Sequence, residues 1–140
     1  MRRRAREAAL QVLFQVDVGK LSIDEALAAV STLAWEPDDW ALVESLSRGT
    51  SAHLREIDPV ISRFAEHWTI DRMAAVDRNI LRMAVYELQH TSTSVRVIIN
   101  EAVELAKRYS TEESGRFVNG LLGTVARAGP SPLVKQSADV

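Results

Sequence analysis

The chain has 140 residues, 46% of them hydrophobic, with 17 basic side chains against 19 acidic and a net charge of −2. That length holds one domain with a proper core, and the absence of cysteine excludes disulfides and thiolate metal sites. No apolar run approaches the roughly 20 residues of a membrane span, so a cytoplasmic protein is expected.

The first stretch, MRRRAREAALQVLFQVDV, places four arginines (Arg2, Arg3, Arg4, Arg6) within six residues and runs straight into an apolar-rich helix. The rest of the chain then carries 13 basic against 19 acidic side chains. An acidic body with a basic end is the asymmetry of a chain that meets a polyanion, or of a terminus that is only solvated. Cations at a helix N-terminus oppose its macrodipole, so local stability does not explain them. On a helical wheel Ala9, Val12, Leu13 and Val16 share one side, with Leu10 and Phe14 rotated further round. That arc is wider than one buried stripe needs. The helix is therefore buried on two sides, or Leu10 and Phe14 form an edge for a partner.

Gly19 marks the stop of this helix. Ser22-Ile23-Asp24-Glu25 reads as a capping box for a second helix through Ala26, Leu27, Val30 and Leu33. Pro37 followed by two acids opens a third, expected to carry Trp40, Val43, Leu46, Leu54 and Ile57. Asp58-Pro59 signals a fourth start, with Val60, Ile61 and Phe64, after which Trp68 and Ile70 read as core plugs. The most strongly patterned helix runs from Asp71 to Gln89. Met73, Val76, Ile80, Met83, Ala84 and Leu88 share one face; Arg78, Asn79, Arg82 and Tyr86 share the other. Glu87 falls near the centre of the apolar arc and needs an internal partner, because an unpaired buried charge is very costly. Asp77, at the edge of the arc, is the better candidate for contacting another molecule.

After a polar turn at Thr91 to Ser94, Val97 to Tyr109 is amphipathic, with Glu104 and Arg108 at supporting i,i+4 spacing. Thr111-Glu112-Glu113 opens a last helix with Phe117, Val118, Leu121, Leu122 and Val125 inward. Its Gly120 and Gly123 lower helix propensity and are expected to permit close helix approach. The result is an all-α chain of about seven helices: one domain over 1–128, with a basic arm at 1–6, and a disordered tail at 129–140.

Little in the pattern suggests catalysis. His53, His67 and His90 are scattered without metal-ligand spacing, and there is no phosphate loop or nucleophile elbow. Neither a metal nor a cofactor is expected. The nucleic-acid signal is stronger: the four arginines could neutralise phosphates. Phe117, beside Arg116, is a candidate to stack on unpaired bases, or else a core residue next to a solvated cation.

Four blocks of the sequence resemble the NusB family of bacterial transcription antitermination factors, in order and over nearly the full length. They are RRRARE followed by ALQVLFQ, Val76 to Leu88 (VDRNILRMAVYEL), Ile99 to Lys107 (INEAVELAK), and Arg116 to Gly120 (RFVNG). The resemblance implies two small helical bundles packed steeply, and a role in processive antitermination of ribosomal RNA transcription. It implies binding of the single-stranded boxA element together with NusE, a small-subunit ribosomal protein. NusA, NusG and RNA polymerase would join the larger complex.

Carried over residue by residue, Arg2, Arg3, Arg4, Arg6, Arg116 and Phe117 would contact RNA, and Glu113 would weaken that contact. Phe14 and Asp77 would meet NusE; Phe14 stands where many relatives have Tyr, so a hydroxyl is missing there. Some members form homodimers that cover the RNA face. Ribosomal-RNA methyltransferases with NusB-like N-terminal domains continue into an α/β domain, whereas this sequence ends at Val140, so a non-enzymatic adaptor is expected.

Overall fold

The computed structural model describes residues 2–66 and 68–129. Its helices are α1 (Arg3–Asp17), α2 (Ile23–Ser31), α3 (Pro37–Ala52), α4 (Leu54–Phe64), α5 (Ala75–His90), α6 (Val95–Tyr109) and α7 (Glu112–Ala128). One turn of 3-10 helix, Ile70–Arg72, precedes α5. The described residues contain no strand, so the all-α expectation of about seven helices holds. The proposed tail beyond Gly129 lies outside the described residues.

Several helix starts form as their local chemistry dictates. Ser22 Oγ accepts from Glu25 N at 3.1 Å while Glu25 Oε1 accepts from Ser22 N at 2.9 Å, the reciprocal bonding of a capping box. Ser94 and Thr111 cap α6 and α7 by accepting from Val97 N and Ser114 N. At the end of α1, Gly19 is needed for space, since a Cβ there would lie 2.8 Å from the Gln15 carbonyl oxygen. Lys20, not Gly19, takes the positive φ of 59°.

The third and fourth helices divide elsewhere than expected. The break falls at His53 (φ −113°, ψ 17°), and Leu54 and Ile57 belong to α4. Asp58 opens no helix; it accepts two hydrogen bonds from Arg82, both 2.9 Å. Pro59 lies inside α4 on its exposed side, where water can serve the carbonyl that its missing N–H leaves unbonded.

Two hydrophobic clusters meet on α1. Ala5, Ala8 and Val12 pack with Ala26, Leu27, Val30 and Val43 of α2 and α3. Ala9, Leu10 and Leu13 pack instead with α4 to α7, through residues such as Ile61, Ile80, Leu105 and Leu122. Burial on two sides thus explains the wide apolar arc as far as Leu10; Phe14 belongs to neither cluster. Each large side chain fully buried in these clusters contributes about 1.5–3 kcal/mol.

The polar stripe of α5 also points inward, against expectation. Asn79 is buried, and Asp17 Oδ2 accepts from Arg78 Nε and Nη2 and from Asn79 Nδ2 at 2.7–2.9 Å. Arg78 Nη1 also donates to the Ile70 and Met73 carbonyls, tying the 3-10 turn to α5. Burial alone would raise the Asp17 pKa. The hydrogen bonds from Arg78 and Asn79 outweigh it and hold the group below its ordinary value.

Two other side-chain expectations differ. Arg108 pairs with Glu7 on α1 rather than with Glu104. Gly120 permits no close approach, because a Cβ there would meet nothing within 4 Å; at Gly123 only the Arg127 guanidinium lies near. A glycine packed against a distant helix is Gly49 instead, whose Cβ would fall 2.1 Å from the Tyr86 ring.

Candidate nucleic-acid and partner interface

The four N-terminal arginines do not form a separate arm, because α1 already begins at Arg3. Helical spacing sends them in different directions. Arg2 donates to the Asp38 carbonyl at the start of α3. Arg4 lies over the Trp35 ring, 4.0 Å from its centroid, a cation–π contact. Arg3 is held by Glu101 of α6 through two bonds of 3.1 and 2.9 Å. Those bonds, ahead of the opposing effect of burial, lower the Glu101 pKa.

Arg6 corrects the expectation of a phosphate ligand. It is 6% exposed and donates to both oxygens of Glu87, itself 2% exposed, at 3.1 and 2.8 Å. The internal partner that Glu87 required is therefore Arg6, on the first helix. The Nε–Nη2 edge of the guanidinium is taken by that carboxylate, and the side chain is buried away from the surface that RNA could reach.

The face built on α7 is different. Arg3, Lys107 and Arg116 line one hollow with Asn100, Asn119 and the Glu101–Glu104 edge of α6. Arg116 and Phe117 line a second with Arg63, Phe64, Trp68 and Gly120. Trp68 and Phe117 line a third with Arg72, Asp77, Glu113 and Ser114. These hollows share walls, so cations and aromatic faces alternate from Arg3 to Arg72. Arg63, Arg72, Lys107 and Arg116 are exposed and make no ion pair among the described residues. Phe117 is half-buried at the edge of the larger core, and Glu113 brings one exposed negative charge.

Trp68 was expected inside and is not: it is 55% exposed. It stands in the connection between α4 and α5, where no helical period marks which side chains are covered.

Asp77 and Phe14, both expected at a partner surface, are separated. Asp77 is 9% exposed, and its Oδ2 accepts from Ser114 Oγ at 2.8 Å. Its Oδ1 is buried with no hydrogen-bond partner among the described residues. The carboxylate is turned onto the first turn of α7, not outward. Phe14 lines a different, mainly apolar hollow with Leu10, Leu33, Trp35, Val76 and Tyr109. Leu33 is exposed there. Tyr109 donates to Glu7 at 2.9 Å, and its pKa is raised, by burial first and then by that bond.

The model described as the NusB family matches residues 3–127. The chain belongs to the NusB family. "Transcription antitermination protein NusB" of Anaeromyxobacter dehalogenans (strain 2CP-1 / ATCC BAA-258) is 49% identical over 131 residues, covering 92% of each chain. Among solved structures, NusB of T. maritima superposes with a TM-score of 0.86 at 36% identity, covering 97% of each chain. A crystal structure of antitermination factors NusB and NusE in complex with dsRNA matches with a TM-score of 0.82 at 32% identity, covering 91% of this chain and 98% of that one. This chain is accordingly a transcription antitermination factor of the NusB type, and the expectation of an adaptor rather than an enzyme agrees with that family. No described helix is long and apolar enough to cross a membrane.

Proposed function

We propose that this chain, with NusE, binds the boxA element of nascent ribosomal RNA through the α7 face, and so helps assemble NusA, NusG and RNA polymerase into an antitermination complex. One observation carries the reading. Arg116 and Phe117 stand between Trp68, Arg63 and Arg72 on one side and Lys107 and Arg3 on the other, with four of those cations unpaired among the described residues. Phosphates take the cations, and unstacked bases take the two aromatic faces. Glu113, exposed beside both rings, opposes RNA by its charge. Gly120 leaves the helix surface one turn from Phe117 bare, so that a backbone can lie close.

Arg2, Arg3 and Arg4 supply long-range attraction, while Arg6 holds the fold. Asp77 acts on this face indirectly, by seating the first turn of α7. NusE is assigned to the apolar hollow around Phe14, where Leu33 is exposed and Trp35 half-buried. A bare phenyl ring at position 14 makes that contact one of shape and burial.

The test is a salt titration of a short boxA-like single-stranded RNA, with and without purified NusE. Weak binding alone, tightening with NusE, and a steep salt dependence are expected. Arg116→Ala should lower the log–log salt slope by about 0.7 if it removes one phosphate contact. Absence of binding in both conditions, by folded protein that sediments as a monomer, would overturn the reading. A homodimer that covers the α7 face would appear in the same sedimentation run, and dissociating it should restore RNA binding.

A further inference from the structure

The sequence scatters its histidines, yet the fold gathers two of them. His53, at the break between α3 and α4, and His90, the last residue of α5, lie with ring centroids 4.2 Å apart. Glu56, in the first turn of α4, places Oε2 3.3 Å from His90 Nε2. One ligand atom from each of the three lies within 4.8 Å of the others.

We propose that His53, Glu56 and His90 form a binding site for one divalent transition-metal ion of the zinc class. Two imidazoles and one carboxylate suit Zn²⁺, Co²⁺ or Ni²⁺ and disfavour Mg²⁺ and Ca²⁺, which take oxygen ligands. The ring nitrogens are prepared for it. His53 Nδ1 lies 2.7 Å from the Gly49 carbonyl oxygen, so that nitrogen carries the proton and donates. Nε2 is then the ring nitrogen available to a metal, and the Nδ1 bond is the backbone support typical of metal-bound histidine. His90 is held in place by the Tyr86 ring stacked on it at 5.3 Å, and Tyr86 is in turn pressed by Gly49.

Zinc ligands stand about 2.0–2.2 Å from the ion; Glu56 Oε2 and His90 Nε2 are already 3.3 Å apart, and side-chain rotation brings the third ligand atom, within 4.8 Å of both, to metal-bound spacing. Three protein ligands leave a fourth position for water. The cluster stands apart from the RNA and partner hollows, which makes the ion a staple. It fastens the α3–α4 junction to the end of α5, and it stabilises by binding the folded chain alone. The negative end of the α5 dipole at His90 favours a cation there, while at His53 the facing ends of α3 and α4 oppose one another.

The experiment is calorimetric titration of the untagged full chain with zinc chloride, paired with thermal unfolding in zinc and in magnesium. One equivalent of zinc and a midpoint that rises with zinc but not with magnesium are expected. His53→Ala and His90→Ala should each weaken binding at least about tenfold and abolish the rise. No binding by the wild-type chain, or binding undiminished in the folded His53→Ala/His90→Ala double variant, would overturn the proposal. Should the variants fail to fold, imidazole NMR of the wild-type chain decides. Zinc must shift the His53 and His90 ring signals and leave those of His67 in place, and any other pattern refutes the site.

Discussion

Arginines on two neighbouring parts of this molecule do opposite work. Around α5, Arg6, Arg78 and Arg82 each meet a carboxylate from a distant element: Glu87, Asp17 and Asp58 respectively. On the α7 face, Arg63, Arg72 and Arg116 are exposed and meet none among the described residues. The difference lies not in the residue type or its helical stripe. It lies in whether a chain segment tens of residues away delivers an acid to the same place. Cations satisfied internally hold the fold and are closed to phosphates; unsatisfied ones keep their charge for a ligand.

The sharpest way to break that comparison is at Arg6. Arg6→Ala leaves Glu87 buried without its partner and should cost about 3–5 kcal/mol in urea unfolding. Arg6→Met combined with Glu87→Leu should recover most of the loss, since an apolar pair of similar volume needs no counter-charge. If Arg6→Ala instead kept its stability and weakened RNA binding, Arg6 would belong with the surface cations.

Asp17 gives the next largest effect. Its folded pKa lies below the ordinary value, so the unfolded chain takes up the proton at higher pH. The stabilisation is complete at neutral pH and drains away as pH falls below about 4 toward the folded value. Asp17→Asn should cost about 1–3 kcal/mol at pH 7 and flatten the acid limb of a stability-against-pH curve.

On the α7 face the sensitivity should shift from stability to binding. Phe117→Ala and Trp68→Ala should each weaken RNA binding by about 1–3 kcal/mol. Trp68→Ala, being mostly an exposed change, should leave unfolding within about 0.5 kcal/mol. The smallest effect is at Gly120. With nothing within 4 Å of a new Cβ, Gly120→Ala should raise stability by up to about 1 kcal/mol. RNA affinity that falls in the same variant would locate the ligand's backbone beside it.

What could be read from the sequence was local. Ser22 and Glu25 contain their capping box within four residues, Thr111 with two following acids marks the start of α7, and the period of α5 and α6 shows which faces are apolar. The need of Glu87 for a partner followed from its place in an apolar arc. The identity of the partner did not, because Arg6 is 81 residues away. The inward turn of Arg78 and Arg82 was hidden for the same reason, since Asp17 and Asp58 carry no mark of their destination. The break at His53 was illegible because Asp58-Pro59 offers a stronger local signal beginning five residues later. Of the α7 face, Arg116 and Phe117 were legible; Trp68 and the sharing of hollows were not, because they depend on how the α4–α5 connection lies against α7.

The double service of α1 bears on how the chain reaches its shape during synthesis. Made before α2 to α7, α1 offers apolar surface to both clusters, and its ties to α5 and α6 join residues 81, 98 and 101 positions apart. Its α2 and α3 partners arrive early, but Glu87, Glu101 and Arg108 are made in the last two-fifths of the chain. Until then one flank of α1 stays open to water. Such distant closures slow folding relative to a bundle of sequential neighbours. Although α1 precedes the other six helices, its placement is therefore not settled until α6 has followed.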